Sequence, residues 1–404
     1  MSYRELVTRP VLAWCAVAVT GRLPVAMAPL ALVFLVRERP GGYTLGAVLA
    51  AAYVLGEIVA APVLGMRTKA ERARPQLAAG LAAGAAGFAG PALAPGAHPV
   101  VLGAFAFLAG AGPAAVPGAL RALLTGLVPE RAVTQAMSVE SILTFAIWAA
   151  APALVTGLAL GAGPGVPLLL QAVLMATATV GLWLLPPGWA TGPQDRGASA
   201  RALLRAWPVY VLGAAGLSLL ALAELILPAL LDQRGIGIGW AGPLLAGFSL
   251  GSATGAFVYG LRSRWPGSLP VQSVVLVLGV TAGVALLAVL PWTAALAGVL
   301  IAAGLLQAPA MLTRNLALRQ ILPPSALAAG YSVMYAAVGA GYAVSGSLAG
   351  ALLKVVAPST AILCGVALTV LLTAVGAAGE RRLARRSPAA QEPAAGAPVR
   401  KVRR

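Results

Sequence analysis

Histidine occurs once in this sequence, at His98, and cysteine twice, at Cys15 and Cys364. One histidine in a loop builds no Ser–His–Asp triad, and two cysteines inside apolar stretches offer neither a disulfide framework nor a zinc site. No Gly-Lys-Ser/Thr phosphate loop is present, so the chain does not burn ATP by that route; active transport would need a gradient or a partner ATPase. Charge is also scarce. Only 10% of the 404 residues are charged and 11 are acidic, whereas 60% are hydrophobic. With a mean hydropathy of +0.90, too little polar surface remains to cover a soluble exterior. A soluble enzyme is excluded, and neither enzymatic activity, a cofactor nor a bound metal is expected.

What the sequence has is long apolar runs. At about 30–33 residues per span and loop, the length accommodates about twelve transmembrane helices. The 48 Gly and 31 Pro fit membrane helices, where both are commoner than in soluble ones. Apolar windows place spans 1–6 at roughly 11–35, 44–66, 75–94, 99–120, 136–160 and 166–186. Spans 7–12 fall at roughly 207–231, 240–261, 270–290, 292–316, 327–352 and 357–378. The first run has no small-x-small cleavage site and is expected to stay as a span. The expected organisation is a six-helix half over 1–186, a linker over 187–206, a second half over 207–378 and a basic tail over 379–404.

The net charge of +17 does not point to nucleic acid, because the basic residues sit in short loops and the tail instead of forming one patch. Counting Lys and Arg by side gives 23 on the side of the termini and 4 on the other. The positive-inside rule then makes both termini cytoplasmic, in a cell inner (plasma) membrane. The tail end Arg400-Lys401-Val402-Arg403-Arg404 either attracts anionic lipid or is merely solvated.

The two halves repeat. Gly65-Met66-Arg67 matches Gly260-Leu261-Arg262 at an offset of 195, as do Gly56 with Gly251 and Arg39 with Arg234. Ser138-Val139 matches Ser332-Val333 at an offset of 194. Parallel six-helix repeats about an axis normal to the membrane are one transporter plan. On these residues the chain resembles the major facilitator superfamily over nearly its whole length. That family's loop signature after span 2, Gly-x-x-x-Asp-Arg-x-Gly-Arg-Arg, corresponds to Gly65-Met66-Arg67-Thr68-Lys69-Ala70-Glu71-Arg72-Ala73-Arg74, with Lys69 in place of the Asp and Glu71 two residues on. Gly21-Arg22-Leu23-Pro24, Arg121-Ala122-Leu123, Glu140-Ser141, Ala223-Glu224 and Tyr259-Gly260 resemble a branch of bacterial, mostly actinobacterial efflux permeases. That branch has a carboxylate at the place of Phe145, and Gly-Pro at the place of Ala151-Pro152. The resemblance implies an all-α membrane protein of twelve helices in two six-helix repeats.

Two pattern matches carry no chemistry. Gly247-Phe248-Ser249-Leu250-Gly251 lies inside span 8, not on the strand-turn-helix a nucleophile elbow needs. Gly237-Ile238-Gly239-Trp240-Ala241-Gly242 has no surrounding βαβ unit.

Charges at membrane depth carry the functional expectations, since each is costly there and usually faces a cavity or a partner. Arg22 in span 1 and Glu57 in span 2 reach similar depth. They are expected either to line a substrate cavity as a charge pair or to pack the two spans as a static ion pair. Glu224 in span 7 has no cation at its depth, and Pro228 follows one turn later. It is the leading candidate for carrying a coupled proton, because burial penalises a charged carboxyl, with Glu57 next; the alternative is a carboxyl hydrogen-bonded within the bundle. Arg121 and Glu140 are placed near the ends of spans 4 and 5, where they can reach water by snorkelling; an interfacial salt bridge or gate latch is expected ahead of substrate contact. Arg314 is the repeat equivalent of Arg121. Arg67, Glu71 and Arg262 belong to the loop signatures and are candidate gate residues. Tyr53, Phe145 and Tyr335 either face a central cavity or pack.

The functional expectation is a monomeric secondary transporter exporting small, largely apolar organic metabolites or drugs against protons. Uptake of a small nutrient and a non-transporting membrane sensor or scaffold are the alternatives. The topology has its own test. Cysteines introduced at positions 98 and 234 should react with impermeant reagents on intact cells, and those at 72 and 196 only after permeabilisation.

Overall fold

A computed structural model describes residues 3–68, 70–186, 196–262 and 265–385. Lys69, Arg264, the linker residues 187–195 and the tail from 386 onward lie outside the described residues, and the expectations attached to them stay there. Among the described residues the elements are α- and 3-10 helices, with no strand. Among the described residues twelve helices are long and apolar enough to cross a membrane: Arg9–Val36, Gly42–Arg67, Ala73–Leu93, Pro99–Leu127, Glu130–Gly161, Val166–Leu184, Trp207–Gln233, Ala241–Gly260, Leu269–Val289, Thr293–Ile321, Pro324–Leu352 and Pro358–Leu383. They are numbered span 1 to span 12 below.

Every expected span is present, and the differences are in length. Span 4 was expected to end at 120 and runs to Leu127; span 10 was expected to end at 316 and runs to Ile321. In span 4 the apolar window stops at Arg121 although the helix carries it through, whereas span 10 simply continues about one turn past the expected end. Span 4 also changes pitch. Gly112-Pro113 opens a 3-10 stretch, Gly112–Ala115, before the α-helix resumes at Val116, because proline supplies no N–H to the ladder. The final helix continues to Arg385, beyond the expected boundary at 378. Within the expected linker, Arg196–Arg205 is a short helix leading into span 7.

The repeat read from the sequence is a repeat in packing. Span 1 packs on spans 5 and 6 as span 7 packs on 11 and 12; spans 2 and 3 pack on 4 as 8 and 9 pack on 10; and 3 packs on 6 as 9 does on 12. The turns agree as well. Gly41 after span 1 and Gly235 after span 7 have φ of +68° and +67°, a left-handed conformation that glycine adopts without steric cost. Arg39 donates to the Ala97 carbonyl (3.4 Å) and its counterpart Arg234 to the Leu287 carbonyl (2.6 Å).

The halves meet along spans 2 and 4 against 11, and spans 8 and 10 against 5. The two sets exchange under the repeat, as a pseudo-two-fold axis requires. On the side of the termini the halves approach closely at two related pairs, Gly65 against Ser332 and Gly260 against Ser138. A methyl built on Gly65 would lie 2.6 Å from Ser332 Cβ, and one on Gly260 2.7 Å from Ser138 Cβ. Only a residue without Cβ fits either place. Tyr3 adds to the second pair by sharing a hydrogen bond with Ser138 (2.9 Å) and donating to the Phe257 carbonyl (2.8 Å). Ser138 donates to the Ala256 carbonyl. Glu130 accepts two bonds from Arg319, at 2.5 and 2.6 Å, as an ion pair between the halves.

This seal is testable. Gly65→Ala or Gly260→Ala should part the halves on the side of the termini. A cysteine at buried position 329 should then react several-fold faster with a water-soluble maleimide than in the glycine parent.

Candidate functional site

Three spans of the first half bring three charged side chains together. Arg22 lies thirteen residues into span 1, which starts at Arg9. Arg121 sits on the α-helical part of span 4, Val116–Leu127, and Glu140 is one of the buried residues in the first turns of the α-helix of span 5, Val133–Gly161. All three are buried: Arg22 and Arg121 are 8% exposed and Glu140 is 1% exposed. Arg22 Nη1 donates to Glu140 Oε1 at 2.6 Å, and Arg121 donates to the same oxygen through Nη2 (2.6 Å) and Nε (3.1 Å). Arg22 makes longer bonds to Thr144 Oγ1 (3.3 Å) and the Pro117 carbonyl (3.4 Å), and its Nε has no partner. The Arg22 guanidinium stands 5.8 Å from the Trp14 ring, and that of Arg121 5.6 Å from Tyr331 of the other half. Such ring faces attract cations but carry no net charge.

Both arginines line a narrow cleft between the halves of about 40 Å³, smaller in this state than a small-molecule site. Val25, Ile147 and Trp148 supply apolar wall, and Tyr335 from span 11 closes it from the second half. Glu140, Thr144 and Trp148 follow at intervals of four, so one face of span 5 runs from the charge cluster up the cleft wall. Trp148 is half exposed.

Several expectations are corrected here. Arg22 does not pair with Glu57; it turns to span 5, where Glu140 is available, and Glu57 faces span 11 and accepts a 2.7 Å bond from the Tyr335 hydroxyl. Arg121 and Glu140 form the expected salt bridge, but it is buried and does not snorkel to water. The two residues lie too far from their helix ends, about 10 Å at 1.5 Å per residue, and spans 10 and 11 cover that side. Arg314 is also buried, at 2% exposure, and is no salt-bridge latch. It donates to the Leu212 carbonyl at 2.9 Å, since the position 194 residues after Glu140 is Met334. Tyr53 is fully buried in the core of the first half, its ring 6.2 Å from Phe88, and does not face the cleft. Phe145 packs on Ala256 and Ala308 of the second half. Among the described residues no ion pair includes Arg67, Glu71 or Arg262; Arg262 stands 5.3 Å over Trp265.

Glu224 is partly buried, and its neighbour is a phenol: it accepts a 3.3 Å bond from Tyr342 of span 11. Tyr342, Thr144, Trp148 and the Glu130–Arg319 pair were not singled out from the sequence. The i+4 spacing from Glu140 was the available signal for Thr144 and Trp148. Among the described residues no group of three or more His, Cys, Asp or Glu could hold a metal.

The shared oxygen predicts an asymmetric mutational pattern. Glu140→Ala leaves two buried guanidiniums without an acid and should cost about 3–5 kcal/mol of stability in detergent. Arg22→Ala should cost less, since Arg121 still holds Glu140. In double-mutant cycles, Arg22 with Glu140 should couple and Arg22 with Glu57 should be additive; equilibrium unfolding of the four variants checks both.

By sequence the chain matches no family model and no curated protein. By structure it resembles a bacterial homologue of the iron transporter ferroportin in an outward-facing state, with a TM-score of 0.74 and 16% identity over 93% of this chain and 99% of that one. The E. coli fucose:proton symporter FucP is similar at 0.70 and 14%, over 92% and 98%. The human organic anion transporter MFSD10 is similar at 0.69 and 16%, over 93% and 100%. Identities this low speak for architecture alone, but coverage is nearly complete on both sides. With twelve spans, two packed repeats and a cleft between them, this chain has the fold of the major facilitator superfamily.

Proposed function

We propose that the protein is a proton-coupled secondary transporter that exports small organic molecules across the cell membrane. The observation that carries this reading is the cleft itself. It lies between two halves related by a repeat, is sealed on the side of the termini by the paired Gly–Ser contacts, and has buried charges at its base. Two such halves reach a second state by rocking about the site, which gives alternating access without hydrolysis. With the arginine-rich side taken as cytoplasmic, the paired Gly–Ser contacts support reading this state as closed inward.

Glu224 and Glu57 both lie well inside their spans and outside every ion pair among the described residues. Glu224 is bonded to Tyr342 within the second half, and Glu57 to Tyr335 across the halves. In this reading Glu224 takes up a proton from outside and releases it inside. The bond between Glu57 and Tyr335 serves as a latch that is made in the outward state and broken as the halves rock. Apolar walls at Val25, Ile147 and Trp148 suit a cargo with a hydrophobic body, and resemblance to efflux permeases supports export.

The test uses a cargo found by thermal stabilisation of the purified protein and proteoliposomes with an imposed pH gradient. Glu224→Gln imitates a permanently protonated carboxyl. It should abolish gradient-driven accumulation, by tenfold or more, while cargo still binds. If the variant concentrates cargo as the parent does, the proton is carried elsewhere and Glu57→Gln is the next comparison.

A further inference from the structure

The charges at the base of the cleft do not balance. Two guanidiniums, Arg22 and Arg121, meet one carboxylate, Glu140, and both use the same oxygen of it. Trp14 and Tyr331 face the guanidiniums without neutralising them. Glu57 bonds to Tyr335 and makes no ion pair with either arginine. One formal positive charge is left in a buried place, where an unpaired charge is expensive. Arg22 is nine-tenths buried, keeps an Nε–H with no acceptor and lines the cleft.

The geometry points to an anion-binding site at the cleft base, and to a cargo that is a small organic anion: one carboxylate or similar group on an apolar body. The acid group would meet Arg22 and Arg121, and guanidinium favours such planar acids. The body would lie along Val25, Ile147 and Trp148, which an inorganic ion would leave unused. This inference rests on the transport reading for its word "cargo", though not for the site. It also agrees with export, because an inside-negative membrane potential drives an anion outward.

The experiment measures thermal stabilisation of the detergent-purified full chain by three probes of one shape: 2-naphthoate, 2-naphthamide and 2-naphthylmethylammonium. Naphthoate should bind about tenfold or more tightly than the amide, the usual worth of a charge-assisted bond, and the ammonium should bind weakest. Arg22→Gln leaves one arginine against one glutamate, a neutral site, and should erase the preference for the acid. Glu140→Gln leaves two arginines unopposed and should sharpen it. Trp148→Ala should weaken acid and amide alike without changing their ratio. Equal affinity for acid and amide in the parent protein, preference for the ammonium, or no binding of any probe overturns the anion site. The comparison needs only the parent protein, so a variant that fails to fold does not remove it. Flux in proteoliposomes separates the two claims: naphthoate that binds without moving sinks the transport reading and leaves the site, whereas transport indifferent to charge does the reverse.

Discussion

One oxygen atom organises the first half of this molecule. Glu140 Oε1 accepts from Arg22 of span 1 and Arg121 of span 4 at 2.6 Å each, so three helices are tied at a single point inside the membrane. Each charge alone would be costly at that depth. Together they hold, because the shared acid satisfies both cations and the surrounding packing keeps water from competing. The cluster fixes where spans 1, 4 and 5 lie, and hence where the wall of the cleft stands. Removing the acid is therefore a different event from removing either base.

The second interaction on which the architecture depends is steric. Gly65 with Ser332 and Gly260 with Ser138 bring the halves within van der Waals reach on the side of the termini. The contacts are small, short-ranged and related by the repeat, and they bury little that must be solvated afresh when they part. An interface of this kind opens and closes at modest cost, whereas one made of ion pairs deep in the bilayer would not. The ion pair between halves, Glu130 with Arg319, sits where Glu130 is largely exposed to water, and so shares that property.

The sequence carried the fold nearly whole. Apolar runs gave the number of spans, and Gly65, Gly260, Ser138 and Ser332 announced a repeat that the packing then displays. These signals are legible because each is a local consequence of the bilayer or of a close backbone approach. The partners of Arg22 and Glu57 were not legible. Depth along two helices put Arg22 level with Glu57, but pairing depends also on rotation about each axis, and Arg22 faces span 5 while Glu57 faces span 11. The salt bridge of Arg121 with Glu140 was legible but its burial was not, for a related reason. The distance of each residue from a helix end was judged from apolar windows, and a charge shortens such a window whether or not it ends the helix.

The same comparison shows what the repeat does not preserve. Position 334 holds methionine where the first half has Glu140, and Arg314, the counterpart of Arg121, bonds a backbone carbonyl instead of an acid. The second half thus keeps the shape of the first and loses its ionic chemistry. Its contributions to the cleft region are phenolic and small: Tyr335 at the wall, Tyr331 beside Arg121, Ser332 at the seal. All three lie on span 11 within five residues, so a rotation of that half moves ring, hydroxyl and seal together past a charge cluster held still by the other. An arrangement in which one half grips and the other covers follows from that asymmetry, and the single excess positive charge is on the half that grips.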